Sequence, residues 1–267
     1  MPANTPRKHG TIIDDIKDFG VGILGNHAWK GLVILFLTTF CMVFYLYLNP
    51  PLNRYTSGLA EQIINLPGDF PSYVWRFGMA TLFLGIIPLS ICFVLGFRPA
   101  RLGLRWDWSF LHSRVFWIFL ISNVLIAVAS TKKSELFSFY PFSKTLITAV
   151  KENGWMFGVH AVCYTLFYYL PWEIMFRGVL VFPFIPKASL DSKLRLERYP
   201  TLLVLAAIQT MPTTLMHIVH PITETLGAIP FGIICAYLTL RFRTILAPLV
   251  LHATVGVLVD LVIILGH

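Results

Sequence analysis

The sequence predicts an all-α polytopic membrane protein, a transmembrane helix bundle of about seven spans, with six and eight as the bounds. Composition is the first observation behind this. Of 267 residues, 56% are hydrophobic and only 13% are charged, and the mean hydropathy is +0.71. A water-facing domain carries about 25% charged residues, so this chain has too few to coat its surface. The second observation is that long apolar runs alternate with short polar or basic connections. The third is that ionisable residues inside those runs are few and clustered.

Residues 1–30 form an N-terminal segment without the apolar core of a cleavable signal. Within it, Ile12, Ile13, Ile16, Phe19, Ile23 and Leu24 share one helical face, while Asp14, Asp15, Lys17 and Asp18 take the other. That pattern predicts a helix lying on the membrane surface or docked on a partner. Residues 31–267 form a single membrane domain. Its first span covers 31–48, without a charge, and ends at Asn49-Pro50-Pro51. A short polar stretch with a small apolar face (Leu59, Ile63, Ile64) leads to the second span, 77–97. A basic connection, 98–105, precedes the third, 115–129.

A polar loop containing Phe and Tyr fills 132–151, and the fourth span covers 155–182 with Pro171, Glu173 and Arg177 inside it. After a charged linker (183–199), the fifth span, 201–216, runs into His217 and His220 and stops at Pro221. The sixth, 227–240, ends at Arg241-Phe242-Arg243. The seventh, 245–265, carries His252 and Asp260. No internal repeat is present.

The net charge of +8 does not indicate a nucleic-acid partner, because the basic residues sit between apolar runs and no basic-aromatic binding module accompanies them. Fourteen Lys and Arg fall on the N-terminal side of the bundle and six on the other. The positive-inside rule then places the N-terminus in the cytoplasm. The four cysteines lie in four different apolar stretches, without metal-knuckle spacing, and read as packing residues.

An ionisable group at bilayer depth costs on the order of 2.5–3.5 kcal/mol, so it faces the bundle interior and finds a partner. Glu173 and Arg177 are four apart on one helix face, in the favourable acid-before-base order. An internal ion pair and a polar cavity both fit that spacing, and Pro171 loosens the backbone beside it. His217 and His220 also share a face, and His252 arrives from a third helix. Such a set supports two chemistries. A Glu and a His can deprotonate water for attack on a carbonyl while another His stabilises the oxyanion. Alternatively, zinc held by Glu173, His217 and His252 lowers the pKa of its water. No metal or other cofactor is required by the spacing, and the His-Glu-x-x-His signature is absent.

The stretch 169–178, Tyr-Leu-Pro-Trp-Glu-Ile-Met-Phe-Arg-Gly, resembles the Glu-Glu-x-x-x-Arg-Gly motif of the CPBP family of CAAX prenyl proteases and bacteriocin-processing (Abi) proteins. The family's Phe-x-x-x-His motif is similar to 213–217, with Thr213 at the Phe place. A following His-x-x-Lys-Pro-x-x-Glu stretch is similar to His217-Ile-Val-His220-Pro221-Ile-Thr-Glu224. The third motif matches His252, and the resemblance covers about 151–265. It departs at Trp172, where the family has its first Glu, and at Gly256, where it has an Asn.

The resemblance implies an intramembrane endopeptidase using Glu/His-activated water, with Glu173, His217, His252 and Arg177 catalytic, and Trp172, His220 and Glu224 contacting substrate. It implies the lipid bilayer and a membrane-associated peptide or protein as partners, and a bacterial cytoplasmic membrane as the location. The departures leave a catalytically silent family member, acting as a chaperone or immunity-type partner, as the alternative. A proton-coupled transporter is the third reading.

Overall fold

The computed structural model describes residues 28–49, 54–185 and 200–266, so the expected N-terminal surface helix and most of the charged linker lie outside the described residues. Each of the seven apolar stretches falls on a helix, and there is no strand among the described residues. In chain order the helices are α1 (Ala28–Tyr47), α2 (Arg54–Ile63), α3 (Phe70–Val94), α4 (Arg114–Ser130), α5 (Ser134–Phe139) and α6 (Lys144–Glu152). Helix α7 begins at Trp155 and runs without a break to Val179. It is followed by α8 (Pro200–Met216), α9 (Ile222–Phe242) and α10 (Leu246–Gly266).

Among the described residues, four helices are long and apolar enough to cross a membrane: α1 from Trp29, α3, α9 and α10. Helix α4 and the Val204–Met216 part of α8 are apolar but shorter. Large apolar side chains point outward from the bundle, among them Phe36 and Phe40 on α1 and Ile118 and Leu125 on α4. In water that outward face would be a liability; against lipid tails it is the expected surface. The chain is an integral membrane protein.

Mid-helix prolines shape the two helices at the centre. In α3 a widened π-turn segment, Thr81–Ile86, precedes Pro88, and in α7 another, Thr165–Tyr169, precedes Pro171. A proline within a helix removes one backbone donor and crowds the carbonyl four residues earlier. That carbonyl, Phe167 O, accepts a hydrogen bond from Thr81 Oγ1 at 3.0 Å. Membrane helices tolerate proline where a neighbour supplies such a bond. The two helices also approach closely: a Cβ added at Gly85 would stand 3.4 Å from the Pro171 side chain.

Polar ties fix the remaining helices. Asp69, just before α3, accepts hydrogen bonds from Ser143 Oγ (2.6 Å) and from the Lys144 and Thr145 backbone N–H groups (2.6 and 3.1 Å). Burial acts to raise its pKa, but these bonds to the charged form outweigh it and hold the carboxyl below its usual range. Between α8 and α9, Gln209 Nε2 donates to the Gly232 carbonyl at 2.9 Å. His160 on α7 joins Tyr73 on α3 through Nδ1 and Asp260 on α10 through Nε2 (3.0 Å to Oδ2). This buried trio gives Asp260 a partner and locks three helices together.

Candidate active site

Helix α7 presents Tyr169, Trp172, Glu173 and Arg177 toward α8, α9 and α10. A second π segment, Ile174–Val179, begins directly after Glu173. The region Leu170–Val179 is buried almost throughout. The widened turns keep bulky side chains from stacking in a regular ladder and direct several of them to one side, where π-turns often mark functional positions.

Glu173 and Arg177 form an ion pair of 3.2 Å, with side chains 0% and 1% exposed. The other carboxylate oxygen of Glu173 accepts a hydrogen bond from His252 Nδ1 at 2.7 Å. Glu173 thus has a hydrogen bond on Oε1 and only the ion pair on Oε2, and it does not line the adjoining cavity. His252 does, and because its Nδ1–H is committed to Glu173, its Nε2 is the atom left for other chemistry.

The cavity has a volume of about 210 Å³. Trp172 and Tyr169 from α7, Thr213 and His217 from α8 and the turn beyond it, Glu224 from α9 and His252 from α10 all line it. The Trp172 indole meets both His217 and His252 edge-on, at ring separations of 5.4 and 6.2 Å. Thus the residue at the family's first-Glu place forms the apolar wall between the two histidines.

His217 Nδ1 lies 2.7 Å from the Thr213 carbonyl, which can only accept, so Nδ1 carries the proton and donates it there. In the neutral ring Nε2 then holds a lone pair. It faces Glu224 Oε1 at 3.9 Å, beyond hydrogen-bond reach. Glu224 Oε1 also lies 2.9 Å from His220 Nδ1 and accepts from Tyr140 Oη at 2.7 Å. Its second oxygen, Oε2, is buried and has no hydrogen-bond partner. Glu224 stands in the first turn of α9, where the helix dipole favours a carboxylate.

The structure thus divides the sequence-predicted residues into two adjoining groups on one cavity: Glu173, Arg177 and His252 in one, His217, His220 and Glu224 in the other. Trp172 stands between them. Two residues escape sequence reasoning. Tyr140 comes from the loop after α5 and carried no motif signal. Tyr169 packs on His252 at a ring separation of 4.6 Å, and its hydroxyl fills the space beside Gly256, where an added Cβ would lie 1.6 Å from Tyr169 Oη. The absence of a side chain at 256 was the available signal, but a missing Cβ does not say what takes its place.

A family model described as type II CAAX prenyl endopeptidase Rce1-like matches residues 153–258. This stretch is similar to the CAAX-protease family. It contains both groups of the site, from Tyr169 to Gly256, while Tyr140 lies outside it. No curated protein and no solved structure matches the chain. The matched segment therefore carries most of the site, and the residues before it add the Tyr140 contact from the loop after α5 and the packing against α3.

Proposed function

We propose that the protein is an intramembrane endopeptidase of the CAAX-protease type that cleaves a peptide bond near the membrane–water boundary. The single observation that carries this reading is that two histidines line one cavity with their Nδ1 atoms committed and their Nε2 atoms free of hydrogen bonds. One is held by a backbone carbonyl beside a carboxylate, the other by a buried carboxylate.

In this reading water is activated between His217 and Glu224. Its oxygen attacks the carbonyl carbon, and its proton passes to His217 Nε2. As an imidazolium, His252 keeps its Nδ1–H on Glu173 and offers Nε2–H to the developing oxyanion, with the Tyr169 hydroxyl beside it as a second donor. When the C–N bond breaks, His217 returns the proton to the departing amine. Glu173, which the sequence suggested as base, acts here through His252 as a positioning residue, and Arg177 pairs with it. Trp172, with the apolar wall around it, contacts the substrate's apolar part, which enters from the bilayer. The count of basic residues supports a cytoplasmic N-terminus, in a bacterial cytoplasmic membrane.

Trp172 and Gly256 favour a second reading, a family member that has kept the fold as a membrane partner without turnover. One experiment separates the two. Membranes containing wild type, Glu224→Gln or no protein are compared for new peptide termini by mass spectrometry, at matched expression and detergent behaviour. Termini that appear only with the wild type are expected, and they name the substrate. Identical terminal peptides in all three membranes would overturn the endopeptidase in favour of the partner.

A further inference from the structure

The cavity is open on one flank. Ile126 on α4 and Gly227 on α9 both line it, yet Ile126 is 65% exposed and Gly227 is exposed as well. These two residues stand where the cavity meets the outer surface of the bundle. The rings of Phe119 on α4 and Tyr237 on α9, 5.9 Å apart and nearly perpendicular, shut one end of this window. The Tyr140–Glu224 bond, which ties the loop after α5 to the first turn of α9, shuts the other. Small residues, Ala127, Gly227 and Ala228, make up much of the wall between. A Cβ added at Gly227 meets nothing within 4 Å.

The polar groups at the window differ in one respect. Asn123 Nδ2 donates to Phe119 O at 2.8 Å, and the Ser130 and Thr131 hydroxyls donate to the Ile126 and Val128 carbonyls at 2.8 and 2.7 Å. These three spend a donor on their own helix. Thr223, on the α9 side, also lines the cavity, but its Oγ1 is buried and has no hydrogen-bond partner among the described residues. A buried polar group left so in a folded chain calls for a reason. Threonine in a helix divides between two χ1 rotamers, so one turn of this side chain presents its hydroxyl to whatever occupies the cavity.

We propose that the substrate enters sideways between α4 and α9 as an unwound, extended stretch of peptide, and that the Thr223 hydroxyl bonds its backbone. For the fate of the chain this rests on the endopeptidase reading; what it adds is the conformation the substrate must take. In a membrane helix each carbonyl is already bonded within its own segment, so a carbonyl open to attack comes from a stretch whose helix is broken. A helix with its side chains is about 10–12 Å across, whereas a cavity of about 210 Å³ takes a short extended stretch. Unwound backbone in lipid needs polar partners, which is what an unspent hydroxyl at the entrance supplies. An acyl chain has no group along its length for Thr223 to bond. Ile126 and Gly227 then set how bulky an entering stretch can be.

The test uses the full-length protein in proteoliposomes, with a photoreactive benzophenone amino acid in place of Ile126. Two synthetic single-span peptides are the probes: a Leu-Ala helix, and the same helix with a central Gly-Pro. Because Gly and Pro lower the cost of unwinding, the broken helix should be captured about tenfold more than the intact one. The same photoprobe in place of Phe36, exposed on α1, should capture both peptides equally. Gly227→Trp should block capture of the broken helix, while Gly158→Trp, at an exposed glycine of α7 that also has open space, leaves it unchanged. Thr223→Val should weaken capture about fivefold, the worth of one hydrogen bond, and Thr223→Ser should restore it.

Equal capture of the two peptides at position 126, capture untouched by Gly227→Trp, or capture of phospholipid alone overturns the window as a route for peptide. Unchanged capture in Thr223→Val removes Thr223 from that route. Should Gly227→Trp fail to fold, the ratio between the two peptides decides. Selective capture without any cleavage keeps the window and sinks the endopeptidase. Cleavage with unselective capture does the reverse.

Discussion

The cavity wall holds two carboxylate–histidine clusters made from the same kinds of group, and they differ in what is left over. In the cluster of Glu173, Arg177 and His252, Glu173 accepts from His252 and pairs with Arg177 at 3.2 Å, and the Glu173 and Arg177 side chains are almost fully enclosed, with Glu173 Oε2 and Arg177 Nε held by charge and not by a hydrogen bond. In the cluster of His217, His220 and Glu224, one carboxylate oxygen is without a hydrogen bond, one imidazole lone pair has no donor, and Glu224 is 22% exposed to the cavity. A fully buried ion pair makes a strut. Partial burial with unspent donor atoms makes a place for chemistry. The carboxylate that the motif emphasises falls in the first class, while the one in the less conspicuous His-x-x-His-Pro-x-x-Glu stretch falls in the second.

The comparison breaks most sharply on stability. Removing one member of the closed cluster, as in Glu173→Ala, leaves Arg177 as an uncompensated buried charge, at a cost of about 3–5 kcal/mol. Thermal unfolding in detergent should show a large fall, while Glu224→Gln in the open cluster should shift the midpoint little. Equal losses in the two variants would mean that both clusters are struts.

Activity sharpens the contrast next. His217→Ala removes the proposed base and should lower cleavage by about 10²–10⁴-fold with the unfolding midpoint nearly unchanged. Glu173→Gln keeps the shape of its side chain but weakens the hold on His252. It should lose activity and stability together. A His217→Ala protein that cleaves at the wild-type rate would remove His217 from the mechanism.

Much of the fold was legible, because a span announces itself by hydropathy alone and the seven stretches all fall on helices. Local pairs were legible too: Glu173 with Arg177, four apart, meet as helical spacing requires. What could not be read was contact between distant segments. Tyr73, His160 and Asp260 come from three helices, and no periodicity links them. The Tyr140–Glu224 bond spans 84 positions and depends on how the loop after α5 folds back. Nor does hydropathy register a π-turn. Pro171 signalled a disturbed backbone, yet only the structure shows the turn before it and the Thr81 hydroxyl on Phe167 O.

Gly256 offers a third, smaller test where the closed cluster meets the cavity. A methyl there would collide with the Tyr169 hydroxyl and with ring carbon Cζ, at 1.6 and 2.5 Å. Gly256→Ala should therefore destabilise by about 1–3 kcal/mol through overpacking. Tyr169→Phe in the same chain removes only the hydroxyl contact and should recover part of the loss. Full tolerance of Gly256→Ala would show that Tyr169 does not sit against His252 as described.

The smallest expected effect asks what Tyr140 is for. Tyr140→Phe keeps the ring against Phe139, Phe142 and His220 and deletes only the hydroxyl that donates to Glu224. One such bond contributes about 1 kcal/mol or less to stability, so the unfolding midpoint should barely move. Glu224, however, loses the donor that orients its carboxylate toward His217. Cleavage should then fall by about 10-fold or more, since misplacing a reacting group costs activity more than stability. The opposite pattern, a clear loss of stability with cleavage intact, would make the Tyr140–Glu224 bond a strut joining the loop to α9. Glu224 would then belong with Glu173, and the distinction between the open and closed clusters would rest on His217 alone.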